Sequence, residues 1–136
     1  MNLDDLDAFV GEWSMSSSFG SGGARTTFEW LTDRRFLIQR WEVDHPAAPD
    51  GIAVIGLDAD DRLLQHYFDS RGVARIYEMT FDGETWTLER RGEAPDFSQR
   101  FTATFTDDDT IIGAWERSDD GVAWTHDFDL GYARVR

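Results

Sequence analysis

The chain has no cysteine, which excludes disulfides, thiolate metal sites and cysteine nucleophiles and leaves the redox compartment open. It has no lysine either. All 13 basic residues are arginine, set against 19 aspartates and 8 glutamates, for a net charge of -14. Phosphate backbones and anionic lipid surfaces need clustered cations, so neither nucleic acid nor membrane is an expected partner. No apolar run approaches the ~20 residues that span a bilayer. The opening MNLDDLDAFVGEW lacks the charged-then-apolar layout of a secretory signal, so a cytoplasmic location is the expectation. Catalytic motifs are missing as well: there is no nucleophile elbow and no phosphate-cradling glycine loop before a helix. His45, His66 and His126 are too scattered for a zinc site. Asp58-Ala59-Asp60-Asp61 starts like a calcium loop, but Leu63 stands where its glycine belongs and Asp69 where its last glutamate belongs. No metal site and no enzyme activity is expected from the motifs.

What the chain does have is apolar and aromatic content, 40% and 14% of 136 residues, with six tryptophans. That suits one packed domain over residues 1–136. Leu3, Leu6, Phe9 and Val10 recur at three-to-four spacing among Asp4, Asp5 and Asp7, which predicts a short amphipathic helix with acids at its favourable end. Period-two alternation then takes over. It predicts strands over residues 13–19, 24–32, 35–44, 52–58, 62–69, 74–81, 84–91, 98–106 and 110–117, with one more after Gly121. The connections are short and rich in Asp, Gly and Ser; the largest, His45 to Gly51, carries two prolines. About ten strands with short sequential connections and no second helix predict an antiparallel up-and-down meander. Closing it into a barrel removes two long exposed edges.

The last hairpin bears the most distinctive pattern. Trp115 and Trp124 flank Ser118-Asp119-Asp120-Gly121, whose Asp-Gly pair suits a tight turn. Beyond it, Trp124, His126, Phe128, Leu130 and Tyr132 share one face, and Asp127 and Asp129 the other. On that count His126 points inward among apolar neighbours.

Gly11-Glu12-Trp13 after a short helix resembles the Gly-x-Trp that opens the first strand in the calycin superfamily of lipocalins and fatty-acid-binding proteins. Gly56-Leu57-Asp58, Tyr67-Phe68-Asp69-Ser70-Arg71-Gly72 and Trp115 to Trp124 make the chain similar to uncharacterised bacterial lipocalin-like proteins. The resemblance implies a calycin-like barrel holding a small molecule. Nitrobindin, a more distant calycin branch, has a haem-ligating histidine on its C-terminal strand; that likeness would place His126 as the ligand. It departs after the tryptophan, where this chain has Ser14-Met15-Ser16-Ser17-Ser18 in place of further spaced glycines. Tyr132-Ala133-Arg134 loosely resembles the arginine and tyrosine on the last strand of fatty-acid-binding proteins, in reversed order.

The expected function is therefore the binding of a small, apolar ligand in the barrel interior, carboxylated where an arginine anchors it. The candidate ligand-binding residues are His126, Trp124, Trp115, Trp86, Tyr77, Tyr132, Arg40 and Arg75. Arg75 is in phase with Tyr77, Met79 and Phe81, and Arg40 with Phe36 and Ile38. For each arginine the competing reading is surface pairing with the abundant aspartates, and for His126 a core histidine bonded to a neighbour. Haem on His126 is the alternative cofactor reading, and a homodimer or non-catalytic association domain the alternative to ligand binding.

Overall fold

The computed structural model describes residues 2–18, 20–93 and 95–136, without the side chains of residues 20–22. Phe19, the expected end of the first strand, lies outside the described residues. A 3-10 helix, Leu3–Phe9, leads into ten strands among the described residues: β1 Gly11–Ser17, β2 Gly20–Trp30, β3 Phe36–Glu42, β4 Gly51–Leu57, β5 Leu63–Asp69, β6 Ala74–Phe81, β7 Thr85–Arg90, β8 Ser98–Asp107, β9 Thr110–Ser118 and β10 Thr125–Arg134. Each strand pairs with the next, and β10 pairs back onto β1 from Leu130↔Ser17 to Arg134↔Trp13, which closes an antiparallel up-and-down barrel. The expected closed meander of about ten strands is the observed architecture.

The helix plugs one end of the barrel. Phe9 enters a ring of aromatics, with centroids 4.8 Å from Phe81, 4.9 Å from Trp86, 5.2 Å from Phe105 and 5.3 Å from Phe28. The Trp86 and Phe105 contacts are edge-on, the arrangement aromatic quadrupoles prefer. Leu6, Phe9 and Trp13 are fully buried.

The helix end is fixed by two residues far apart in sequence. Trp13 donates from Nε1 to the Phe9 carbonyl at 2.8 Å. Arg134 stacks its guanidinium 4.1 Å above the Trp13 ring. From there Nη1 donates to the Val10 carbonyl at 2.7 Å and Nη2 to the Ala8 carbonyl at 2.9 Å. These bonds satisfy carbonyls that a helix terminus leaves without partners. Gly11 is required beneath them: its φ is +133°, and a Cβ there would lie 2.9 Å from Arg134 Nη1. The Gly11-x-Trp13 sequence is thus the floor of a clamp whose upper jaw is Arg134.

Strand β4 is apolar on both faces. Ala53 and Ile55 point into the barrel and are fully buried, while Ile52 and Val54 point outward and remain partly exposed.

Candidate functional site

Away from the plug, the interior changes character. Five rings line the open half in sequence around the wall: Trp41 stacks on Tyr67 at 5.4 Å, Tyr67 meets Tyr77 at 6.2 Å, Tyr77 meets Trp115 at 5.5 Å, and Trp115 stacks on Phe128 at 6.4 Å. Buried polar groups sit among them. Gln39 donates to Thr26 Oγ1 at 3.2 Å, and Thr26 in turn donates to the Arg40 carbonyl at 3.0 Å. Gln65 is 4% exposed, and its Oε1 has no hydrogen-bond partner. A buried amide oxygen left unsatisfied costs on the order of 1–3 kcal/mol, so it marks a place where a donor from a ligand or water belongs.

Above the belt three guanidiniums converge on one ring. Arg117, Arg90 and Arg75 lie 4.2, 5.2 and 5.3 Å from the Phe97 centroid. Their strands bring them together because each continues an inward-facing alternation: Arg75 with Tyr77, Arg90 with Leu88, Arg117 with Trp115. Gln99, inward next to Phe101, is the shared acceptor. Its Oε1 receives Tyr77 Oη at 2.8 Å, Arg75 Nη1 at 3.2 Å and Arg90 Nε at 3.2 Å. Arg90 also pairs with Asp96 at 2.8 Å, and Arg117 lies 3.9 Å from Asp119. No carboxylate of the described residues is within ion-pair distance of Arg75. Burial pushes the Tyr77 phenol up, against the pull of the Arg75 guanidinium.

This cluster sits beside a seam. The β6–β7 ladder runs only from Phe81↔Trp86 to Glu78↔Glu89, although β6 continues back to Ala74 and β7 on to Arg90. A recess of about 460 Å³ opens there, lined by His66, Phe68, Ala74, Arg75, Ile76, Arg90 and Arg91. His66, Phe68 and Ile76 point outward, so the recess lies on the outer side of the wall and is open to solvent. A second recess, about 380 Å³, lies outside the barrel at the β9–β10 loop, against Arg117, Asp120 and Thr125.

The rim next to the belt carries a tight acid–phenol–arginine group. Asp69, whose side chain is fully shielded from solvent, accepts from Tyr67 Oη at 2.5 Å and from Arg71 Nη2 at 2.7 Å. Burial alone would raise its pKa. The Arg71 guanidinium, the Tyr67 hydroxyl and the backbone N–H groups of Arg71 and Val73 outweigh that and hold it at about 2. Burial and the neighbouring carboxylate push the Tyr67 phenol up.

The residues anticipated from sequence divide into three groups. Arg75, Tyr77 and Trp115 meet in the open half. Trp86 belongs to the aromatic plug, and Tyr132 is buried between the two, 5.9 Å from Trp86. His126, Trp124 and Arg40 lie outside, which corrects the inward face inferred for Trp124 and His126 and gives Arg40 the surface pairing weighed against an inward anchor. For His126 the cause is a bulge. Across the β9–β10 ladder His126 faces Glu116 and Phe128 faces Trp115, so Asp127 is an extra residue that reverses the alternation. His126 consequently reaches Asp129 Oδ1 at 2.8 Å with its side chain 56% exposed. Trp124 lies outside under the Arg100 guanidinium, 4.2 Å from its ring centre, while Arg100 is paired with Glu116 at 2.8 Å. Arg40 points outward to Glu29; Leu37, Gln39 and Trp41 are the inward residues of β3. The Asp-Gly hairpin is also looser than a two-residue turn. Asp120 Oδ1 accepts from the Val122 and Ala123 N–H groups, and β10 starts only at Thr125.

A haem held inside the barrel by a C-terminal-strand histidine does not fit these residues. His126 is outside, His66 faces outward between Val54 and Ile76, and His45 sits in a loop where Nδ1 accepts from the Ala47 N–H. Among the described residues, no group of three or more histidines and acids is placed to hold a metal ion. Sequence reading did not single out Arg90, Arg117, Phe97, Gln99, Tyr67, Trp41 or Gln65. The alternations Trp86-Leu88-Arg90, Gln99-Phe101-Ala103 and Trp115-Arg117 carried a signal for three of them. No family model matches the chain, and no curated protein matches it.

Proposed function

We propose that this is a lipocalin-like, small-molecule-binding barrel whose open half and β6–β7 seam take an apolar molecule bearing a carboxylate. The observation that carries the reading is Arg75, an inward guanidinium stacked on Phe97 and bonded to a neutral amide, with no carboxylate of the described residues in ion-pair contact; Asp96, paired with Arg90, acts on it only through space. In a chain of net charge -14, a guanidinium without a contact ion pair, beside a recess with Phe68 and Ile76 in its wall, favours an anionic guest. Arg75 and Arg90 both donate to Gln99 Oε1, and a ligand carboxylate can replace that oxygen as their common acceptor. The ring system from Trp41 to Phe128 supplies the apolar wall, and Gln65 Oε1 an acceptor for a donor on the ligand. The closed meander, the N-terminal helix and the Gly11-x-Trp13 clamp support placing the chain among the calycins.

Calorimetric titration with 2-naphthoate and with 2-naphthol, the same ring system without the charge, tests this. The acid is expected to bind more tightly. Arg75→Gln should weaken it by roughly 10- to 100-fold, the worth of one charge-assisted hydrogen bond, and leave the alcohol unchanged. Equal affinity for acid and alcohol, or an acid affinity indifferent to Arg75→Gln, would refute the reading.

A further inference from the structure

The outer surface of the barrel is polar over most of its circumference and apolar over one third of it. On β7 to β10, β1 and β2 the outward residues are mainly threonine, serine and paired charges, with Ile112 a lone exception between Thr104 and Gly131. On β3 to β6 they include Phe36, Ile38, Ile52, Val54, Phe68 and Ile76, with His66 in their midst and Arg40 and Glu78 among the charged residues at the margin. Phe36 is 39% exposed, Phe68 45% and Ile76 55%. Isolated exposed apolar residues are ordinary; a contiguous field on four adjacent strands marks an interaction surface.

Size and charge indicate what covers it. Four strands about 4.8 Å apart and three outward rows about 6.6 Å apart give an apolar field of roughly 380 Å². One ring of flanking residues brings the footprint to about 950 Å² per partner, the scale of a standard specific interface with an apolar centre and a polar rim. The corners of the field are Arg40, Phe36, Glu78 and Ala74, with Arg40 diagonally opposite Glu78. Arg40 contacts Glu29, and Glu78 lies 3.9 Å from Arg62, both pairs well exposed. A two-fold axis lying in this surface exchanges residues across itself. An axis parallel or perpendicular to the strands would set Glu78 against the apolar Phe36 or Ala74 of a second copy. An axis along the Phe36–Ala74 diagonal sets Arg40 against Glu78, twice, and Phe68 against Ile76. The face is self-complementary in that arrangement alone.

We infer that the β3–β6 outer face is the interface of a homodimer, with its two-fold axis along the Phe36–Ala74 diagonal. Its centre is the apolar field around Val54, and two Arg40–Glu78 pairs set its register. The face shares His66, Phe68, Ala74 and Ile76 with the wall of the recess at the β6–β7 seam, so the dimer borders that recess; its test reads mass and not ligand affinity, and its failure leaves the ligand reading standing.

Sedimentation velocity and native mass spectrometry at roughly 100 µM, above the dissociation constants usual for interfaces of this size, should give twice the 15.6 kDa chain mass. Ile76→Asp and Phe68→Asp, both at well-exposed positions, should each weaken the dimer at least about 30-fold, as loss of a central contact does, with unchanged circular dichroism and melting. Arg40→Glu and Glu78→Arg should each weaken it by about tenfold, and the double swap should restore it. A wild-type chain that stays at monomer mass overturns the inference. So does a dimer that survives Ile76→Asp and Phe68→Asp, or a double swap no better than either single one.

Discussion

Replacing Arg134 by methionine isolates the clamp that ties the last strand to the helical plug. Methionine keeps most of the aliphatic stem over Trp13 and removes every donor. On the buried side two charge-assisted hydrogen bonds disappear, to Val10 at 2.7 Å and Ala8 at 2.9 Å, together with the stack on the Trp13 ring. On the exposed side the pair with Asp109 at 3.1 Å and the bonds to the Asp108 carbonyl at 3.1 and 3.3 Å are largely replaced by water. Hydrogen bonds of this kind contribute about 1.5–3 kcal/mol each and a partly buried cation–π contact about 1 kcal/mol. The side chain is 17% exposed, so water regains part of the carbonyls and reduces the total to about 3 kcal/mol. With an unfolding entropy of about 2.1 cal/mol/K per residue over 136 residues, that is a fall in Tm of about 10 °C. Scanning calorimetry and urea titration measure it. Hydrogen exchange locates it: the amides of Leu6 to Trp13 should lose protection while those of β5 and β6 keep theirs. Arg134→Lys should recover less than half, because one ammonium cannot serve two carbonyls and lie flat on an indole. A methionine variant within about 0.5 kcal/mol of wild type, or full recovery by lysine, would refute the clamp.

Two further outcomes follow from the site and its surroundings. Asp69 is held at about 2, against 3.8 for a free aspartate, so its contribution is fully present above pH 4 and lost as pH falls from there toward 2. Urea titrations of Asp69→Asn and wild type should differ by about 2 kcal/mol at pH 7 and converge near pH 2; a gap that is constant with pH would show that Asp69 is not held low. His126→Ala and Trp124→Ala, both outside the barrel, should cost no more than about 0.5–1 kcal/mol, whereas Trp115→Ala should cost about 3 kcal/mol or more. A large loss for His126→Ala would place that histidine inside after all.

Strand number, the helix and barrel closure were legible, because alternation and Asp-Gly punctuation report local geometry directly, although the last connection was read too short. Arg75, Tyr77 and Trp115 were found by the same counting. It failed at His126 because one inserted residue, Asp127, reverses the faces and leaves no mark in the apolar–polar pattern. It left the direction of Arg40 open for another reason. Alternation assigns faces only where one face is polar, and in β3 both Phe36-Ile38 and Leu37-Trp41 are apolar. The inner choice is Leu37, Gln39 and Trp41, so Phe36 and Ile38 face outward. The doubly apolar β4 shows the same ambiguity, and that ambiguity was itself the trace of the exposed apolar face. The arginine cluster needed three-dimensional information, since Arg75, Arg90 and Arg117 come from three strands and meet only at Phe97.

The joint between β1 and β10 also bears on how the chain finds its fold. Every other ladder joins neighbours in sequence and can zip from a short turn, while Trp13 and Arg134 must meet across about 120 residues. Closing that length costs about 2.7 kcal/mol more in chain entropy than closing a six-residue hairpin. Contacts so distant in sequence slow folding, and the rolled but still open sheet is the natural precursor of the finished barrel. In that precursor β1 and β10 present unpaired edges, the surfaces most open to misassociation. Arg134 can rest on Asp108 and Asp109 of the β8–β9 turn before closure. It reaches Val10, Ala8 and Trp13 only once the ring has shut, so those contacts latch a completed circle: they slow reopening and do little to speed closure.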